Sequence, residues 1–290
     1  MKQDWIAITA LVFLVAVWGS SFGLTRVALD GFPPMEVTFG RTALAAIIVS
    51  IVAITSGQGL PNTFREWKWL SMLGVFGLAA PVSALSWAQQ SVDSGVAAIF
   101  ISSVPLFLLL LARVVLKENI SNRKWLGFTI GFLGLIWLAG PSALGDIGAK
   151  GQGLAQLACI IASIGYASGA IIIKIMPSIP PFRATAGAMI SGALFLIPFG
   201  YSVIPNTLNV SNIQLLALIA LGIFPSGLGQ LIRYFTVKRK GPVFVSIVGF
   251  LLPVWAGFVG FFLLDESIGL HSISAYAIIL GGLLISRDKA

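Results

Sequence analysis

The sequence predicts an all-α integral membrane protein, with ten transmembrane helices arranged as two inverted five-helix repeats. Three observations carry this. Of the 290 residues, 57% are hydrophobic and only 10% are charged, and the mean hydropathy is +0.98. Soluble domains carry about 25% charged residues, so a chain this apolar has too little polar surface to cover itself in water. Apolar stretches of about 20 residues, long enough to cross roughly 30 Å of hydrocarbon as helices, recur from end to end. The second half of the chain also repeats motifs of the first. No segment alternates as a barrel strand does, so helices must satisfy the backbone.

The predicted spans are 5–26, 35–55, 68–91, 94–115, 122–140, 152–175, 182–201, 212–237, 242–264 and 271–287. The first follows Met-Lys and superficially resembles a signal peptide, but its apolar part is too long and nine spans follow, so it is expected to be retained. The second, "VTFGRTALAAIIVSIVAI", carries Arg41 near its start. The third places Ser83, Ser86 and Gln90 on one face with Trp87 beside them. The fourth and ninth each pair a proline with a glutamate thirteen residues on, Pro105/Glu118 and Pro253/Glu266. In the fifth, Gly127, Gly131 and Gly134 read as packing positions. The sixth aligns Gln156, Cys159, Ser163 and Tyr166. The seventh opens on "SIPPFRATAG". The eighth aligns Ser226, Gln230 and Tyr234 with Arg233 adjacent, and the tenth has His271 at its outer end. Cys159 is the single cysteine and falls within a span, so no intramolecular disulfide forms.

The net charge of +8 does not point to nucleic acid. With the N-terminus in the cytoplasm, 15 of the 18 Lys and Arg residues fall on that side. Arg26 and Lys150 fall on the other, and Arg41 lies within the second span. This positive-inside bias predicts both termini in the cytoplasm of a multi-pass inner-membrane protein.

"LGVFG" at 73–77 recurs as "LGIFP" at 221–225, and at the same offset Pro105 matches Pro253, Glu118 matches Glu266 and Ile120 matches Ile268. "GFPPMEVTFG" (31–40) parallels "SIPPFRATAG" (178–187). The repeats are expected at 1–145 and 146–290. Five spans per copy, an odd number, put the second copy upside down, the architecture of secondary transporters. Duplication as a mere route to a larger bundle is the alternative.

"VWGSSFGLTRVALDGFPPMEVTFGRTALA" (17–45) resembles the opening of EamA-type carriers of the drug/metabolite transporter superfamily, with Trp-Gly-Ser ahead of a basic residue, then a Pro and an Arg in the second helix. The repeated proline–glutamate spacing is similar to that family's in both halves. "GLTRVALDG" (23–31) is most similar to bacterial YddG-type exporters of aromatic amino acids. The resemblance implies ten helices, an inverted repeat, and a central cavity formed mainly by helices 1, 3, 4, 6, 8 and 9. It also implies a small-molecule substrate, an amino acid or similar metabolite.

The polar rows are expected to face the bundle interior, because polar groups facing lipid gain nothing. Trp18, Ser86, Phe100, Ser163, Tyr166, Gln230 and Tyr234 are the candidate substrate-binding residues. Trp18, Ser21 and Thr25 form a further row in the first span. The alternative is helix–helix contact, where small and hydroxyl residues are favoured. Trp67, Trp69 and Trp125 lie at predicted interfaces and read as belt residues.

Arg41 lies roughly 9 Å into the second span, at about 1.5 Å per residue. It reads as a charge at the outer mouth that attracts a substrate carboxylate or gates closure, or as a structural cation paired with Glu36, another outer carboxylate or a helix C-terminus. Its repeat partner is Ala188, so the pseudo-symmetry requires no cation there.

All ten acidic residues sit at or beyond span ends, so no intramembrane carboxylate is available for proton-coupled cation exchange. There is no Gly-rich loop with Lys-Ser/Thr to hold a nucleotide, and no cofactor or metal is expected. The reading is a monomeric carrier exporting amino acids, aromatic ones first, by alternating access as uniport or exchange. A membrane enzyme would need a His, Asp or Cys cluster at membrane depth, and a channel a continuous polar path.

The topology is testable with single cysteines at Gln3, Lys150 and Asp288 in a Cys159→Ala background. An impermeant thiol reagent applied to intact cells is expected to label only position 150, and labelling at 3 or 288 overturns the orientation.

Overall fold

Several helices are started by a local device in the sequence. Asp4 accepts the Ala7 N–H at 3.3 Å and opens α1, Trp5–Leu29. Pro34 stands at the first position of α2, Pro34–Thr55, where its missing N–H costs no hydrogen bond. Thr63 caps the Glu66 N–H at the head of α3, Phe64–Ala88, which is interrupted by a π-helical turn at Val75–Ala79. Then follow α4, Val104–Val115, and α5, Asn122–Gly145. α6 is Gly153–Ile175, and α7 is Pro181–Gly200, again opened by a proline. Ser211 and Gln214 form a reciprocal capping box at the start of α8, Asn212–Lys240. α9, Pro242–Leu263, and α10, Leu270–Ile285, complete the order. This computed structural model describes residues 4–92, 97, 100–145, 152–201, 210–263 and 269–286.

The described residues are helical and contain no strand. α1, α2, α3, α6, α7 and α8 are long and apolar enough to cross a membrane, and Val104–Val115, Pro242–Trp255 and Leu270–Ile285 are shorter apolar helices. Large apolar side chains, among them Ile47, Leu154, Leu216 and Leu270, stand exposed on the outside of the bundle. In water such a surface is a liability; in hydrocarbon it is the expected exterior.

Two features depart from the expected spans. α8 is helical to Lys240, so Arg233 lies about two turns inside the helix end rather than about one. In the fourth expected span, residues 102–103 form a turn ahead of Val104, where Ser103 Oγ donates to the Phe100 carbonyl. Lys150, Asp265, Glu266 and the residues after 286 lie outside the described residues.

Glycines set how closely the helices approach. A Cβ on Gly74 of α3 would sit 2.2 Å from the Ala188 carbonyl oxygen and 2.9 Å from the Gly192 nitrogen of α7. A Cβ on Gly127 of α5 would lie 2.4 Å from the Gly282 carbonyl oxygen of α10. The approaches at Gly74 and Gly127 are contacts of backbone on backbone, the close packing that small residues allow between membrane helices, whereas Gly131 faces the Phe250 ring and Gly134 the Ile278 and Ile279 side chains.

The two ends of the bundle differ. At the end that carries residue 4 and the α2–α3, α6–α7 and α8–α9 connections, polar contacts tie the halves together. Arg183 donates to the Gln58 carbonyl through Nε at 2.7 Å and through Nη2, and pairs with Glu66 at 3.4 Å. Asp4 pairs with Arg239 at 2.9 Å and with Lys240 at 3.0 Å. Those two cations hold the Asp4 carboxyl well below the usual carboxylate range. At the other end, a hollow is lined by Arg26, Asp30, Pro33, Pro34, Gln89 and Gln90 among others.

Gly74→Val is expected to force α3 away from α7 at an overpacking cost of about 1–3 kcal/mol. Gly23 has no atom within 4 Å of an added Cβ, so Gly23→Ala is expected to be tolerated. Thermal melting in detergent should fall for the first and stay near wild type for the second; equal melting of all three contradicts the packing.

Candidate functional site

A cavity of about 170 Å³ lies between the halves of the bundle. Its walls come from α1, α2, α3, α4, α6, α8 and α9, with Ile101 just ahead of α4. Most of the lining is apolar. The polar groups are few and come from both halves.

α1 contributes Trp18, Ser21 and Thr25, residues spaced to share one helical face. The Trp18 indole N–H donates to the Pro225 carbonyl at 3.2 Å, across to α8. The acceptor lies in the second π-helical turn, Gly222–Leu228. A Cβ on Gly229 would stand 2.7 Å from Trp18 Nε1, so glycine makes room for the indole there.

α2 contributes Arg41. Its Nε donates to Ser226 Oγ at 2.8 Å, in the same π-helical turn. The side chain therefore turns into the bundle and joins the two halves. Ser86 of α3 is buried, and its hydroxyl accepts from Thr38 Oγ1 of α2 at 3.2 Å.

α8 contributes Gln230 and Arg233, three residues apart on one face. Arg233 is 4% exposed; its Nη1 donates to Gln230 Oε1 at 3.1 Å and its Nη2 to the Tyr166 carbonyl at 2.8 Å. A Cβ on Gly169 of α6 would lie 2.9 Å from Arg233 Nη2, so that glycine leaves the space the guanidinium fills. The Tyr166 phenol lies within electrostatic reach of both Arg41 and Arg233.

Five of the eight singled-out residues thus meet in one cavity: Trp18, Arg41, Ser86, Tyr166 and Gln230. The other three do not line it. Ser163 is fully buried and its hydroxyl is shared between the Phe100 and Cys159 carbonyls, at 2.8 and 2.9 Å. Phe100 supplies that carbonyl and packs in a cluster with Ala97 and Cys159. Tyr234 donates to the Ile179 carbonyl at 2.7 Å, toward the tied end of the bundle.

Sequence reasoning passed over Gln89 and Arg233 as lining residues. Ser83, Ser86 and Gln90 were expected to share a face, but α3 ends at Ala88 and it is Gln89 that lines the cavity. Ser83 instead leaves a buried hydroxyl with no hydrogen-bond partner. In α8 the signal was present, because Arg233 stands three residues from Gln230. The assumed end of the span at 237 concealed how deep it lies.

Among the described residues, the ion pairs are those of Arg183 with Glu66 and of Asp4 with Arg239 and Lys240. None involves Arg41 or Arg233. Among the described residues no group of three His, Cys, Asp or Glu side chains is placed to hold a metal.

An all-helical bundle with an apolar exterior and an internal, part-polar cavity defines an integral membrane protein. The chain belongs to the EamA-like transporter family, whose model matches residues 5–140 and again 153–287; it is a transporter and not an enzyme. It is 26% identical over 290 residues to an uncharacterized transporter of Archaeoglobus fulgidus, covering 99% of each chain. It is 24% identical to a probable terminal-alkyne amino-acid exporter of Streptantibioticus cattleyicolor, covering 90% of this chain and 86% of that one. It is also 30% identical over 165 residues to the uncharacterized inner membrane transporter YedA of Escherichia coli K12, covering 56% and 51% of the two chains. A solved structure titled "Crystal structure of protein" shares the fold, with a TM-score of 0.78 and 19% identity over 97% of this chain and 96% of that one.

Proposed function

We propose that this transporter is a secondary carrier that exports amino acids, aromatic ones first, by alternating access as uniport or exchange. Its ten membrane helices form two inverted five-helix repeats, 1–145 and 146–290, in a bacterial inner membrane with both termini in the cytoplasm. The family match in each half supports the duplication. So do the two π-helical turns, which fall on the repeated "LGVFG" and "LGIFP" motifs. The probable amino-acid exporter among the relatives supports the substrate class.

The observation that carries the reading is the asymmetry around one central cavity. Gln89 lines both the cavity and the hollow at one end of the bundle, whereas the opposite end is tied across the halves through Arg183 and Asp4. A carrier needs a site reachable from one side at a time. Breaking those ties while closing around Gln89 presents the same cavity to the other side. Trp18 and Phe22 offer a solute's apolar body aromatic contact, and Ser86, Gln230 and Tyr166 offer hydrogen-bonding groups.

Proteoliposomes loaded with unlabelled phenylalanine are expected to accumulate labelled phenylalanine faster than empty ones, with saturation. Ser86→Trp fills the cavity and should cut the rate about tenfold or more at unchanged protein abundance, since a misplacement of about 1 Å already costs a hundredfold at a well-fitted site. Linear, unsaturable uptake that ignores the internal solute contradicts the carrier reading.

A further inference from the structure

We propose that the cavity is an organic-anion site: Arg41 and Arg233, reaching in from opposite halves, hold the carboxylate of a small solute whose apolar body rests against Trp18, Phe22, Leu108 and Leu252. The assignment rests on the carrier reading and names the group its solute must present, a carboxylate.

The argument begins with donors. A guanidinium carries five N–H groups and accepts none. Arg41 places one on Ser226, leaving four, and Arg233 places two on Gln230 and Tyr166, leaving three. Both side chains line the cavity, and Arg233 is 4% exposed. The unused N–H groups belong to side chains that line the cavity, so a solute there finds donors with no protein acceptor to compete for them.

Charge makes the same point. Two cations face one cavity, both within electrostatic reach of the Tyr166 phenol, and no ion pair among the described residues involves either. Uncompensated charge inside a membrane protein is expensive and usually marks a solute or ion path. A planar carboxylate matches the fork of a guanidinium, and two forks can share its oxygens. Among the described residues no Asp or Glu lines the cavity, so an ammonium finds no counter-charge. The mainly apolar lining selects an organic anion over a hydrated inorganic one. Solutes with a carboxylate and no amine should therefore bind best, zwitterions next and amines least.

Three probes share one hydrocarbon body and differ only in charge: 3-phenylpropionate, phenylalanine and phenethylamine. Purified protein in detergent is tested by scintillation proximity with tritiated 3-phenylpropionate, the other two serving as competitors, with chloride in large excess. Saturable binding is expected, with phenethylamine at least tenfold weaker than 3-phenylpropionate and phenylalanine between them. Arg41→Gln and Arg233→Gln should each weaken 3-phenylpropionate at least tenfold, and Arg41→Lys less than Arg41→Gln, all at near-normal melting temperature. The ranking of probes on the unaltered protein stands even where a variant fails to fold. Phenethylamine binding as tightly as 3-phenylpropionate, Gln variants that fold yet bind normally, or no saturable binding in excess chloride each overturns the site. Binding needs no transport, so a carrier reading that fails in liposomes leaves this result distinct.

Discussion

The hydrogen bond from Arg41 to Ser226 is the contact on which the cavity depends. A guanidinium inside a bundle has to be held by protein, because lipid offers it nothing. Arg41 comes from α2 and Ser226 from α8, 185 residues further along the chain. Their contact fixes the distance between the two halves at the depth where the polar groups converge. It also depends on an irregularity: Ser226 lies in a π-helical turn, as does the carbonyl that accepts from Trp18. Such turns inside helices recur at functional sites. Here the turn carries both anchor points of the opposite half.

Glycine completes that arrangement by removing obstacles rather than adding contacts. Gly229 makes room for the Trp18 indole, and Gly169 for the Arg233 guanidinium. A methyl group at either position would collide with the side chain that it now admits. The polar ties at the far end act on another scale. Asp4 with Arg239 and Lys240 sits at an exposed surface, where solvent screening keeps such pairs weak.

Much of the fold was legible in the sequence, because hydrocarbon leaves few options. Apolar runs of membrane length, prolines opening α2 and α7, and the serine and glutamine of the α8 cap stand in the chain for anyone to count. The repeated motif could also be read, although nothing in its letters says that it forms a π-helical turn. The site was legible in part. Trp18, Ser86, Tyr166 and Gln230 stand in helically spaced rows, Arg41 is marked by its lone charge, and all five line the cavity. Ser163 and Tyr234 obey the same spacing, yet their hydroxyls are taken up by backbone carbonyls of neighbouring segments. Periodicity reports a face; it does not report which neighbour that face meets. Arg233 escaped for a different reason. The run Lys238, Arg239, Lys240 looked like the start of a loop, whereas it is the last turn of a helix whose carbonyl end favours cations.

The account's central claim is that one cavity serves both sides in turn, and that the end tied by Asp4 and Arg239 has to separate in every cycle. Asp4→Cys and Arg239→Cys, placed together in a Cys159→Ala background and bridged by a short cleavable bis-maleimide, test this directly in proteoliposomes. Cross-linked protein should exchange phenylalanine at less than a tenth of the uncross-linked rate, and cleaving the linker should restore it. Full exchange by the cross-linked protein would mean that this end does not open, and that solute passes the cavity without alternating access.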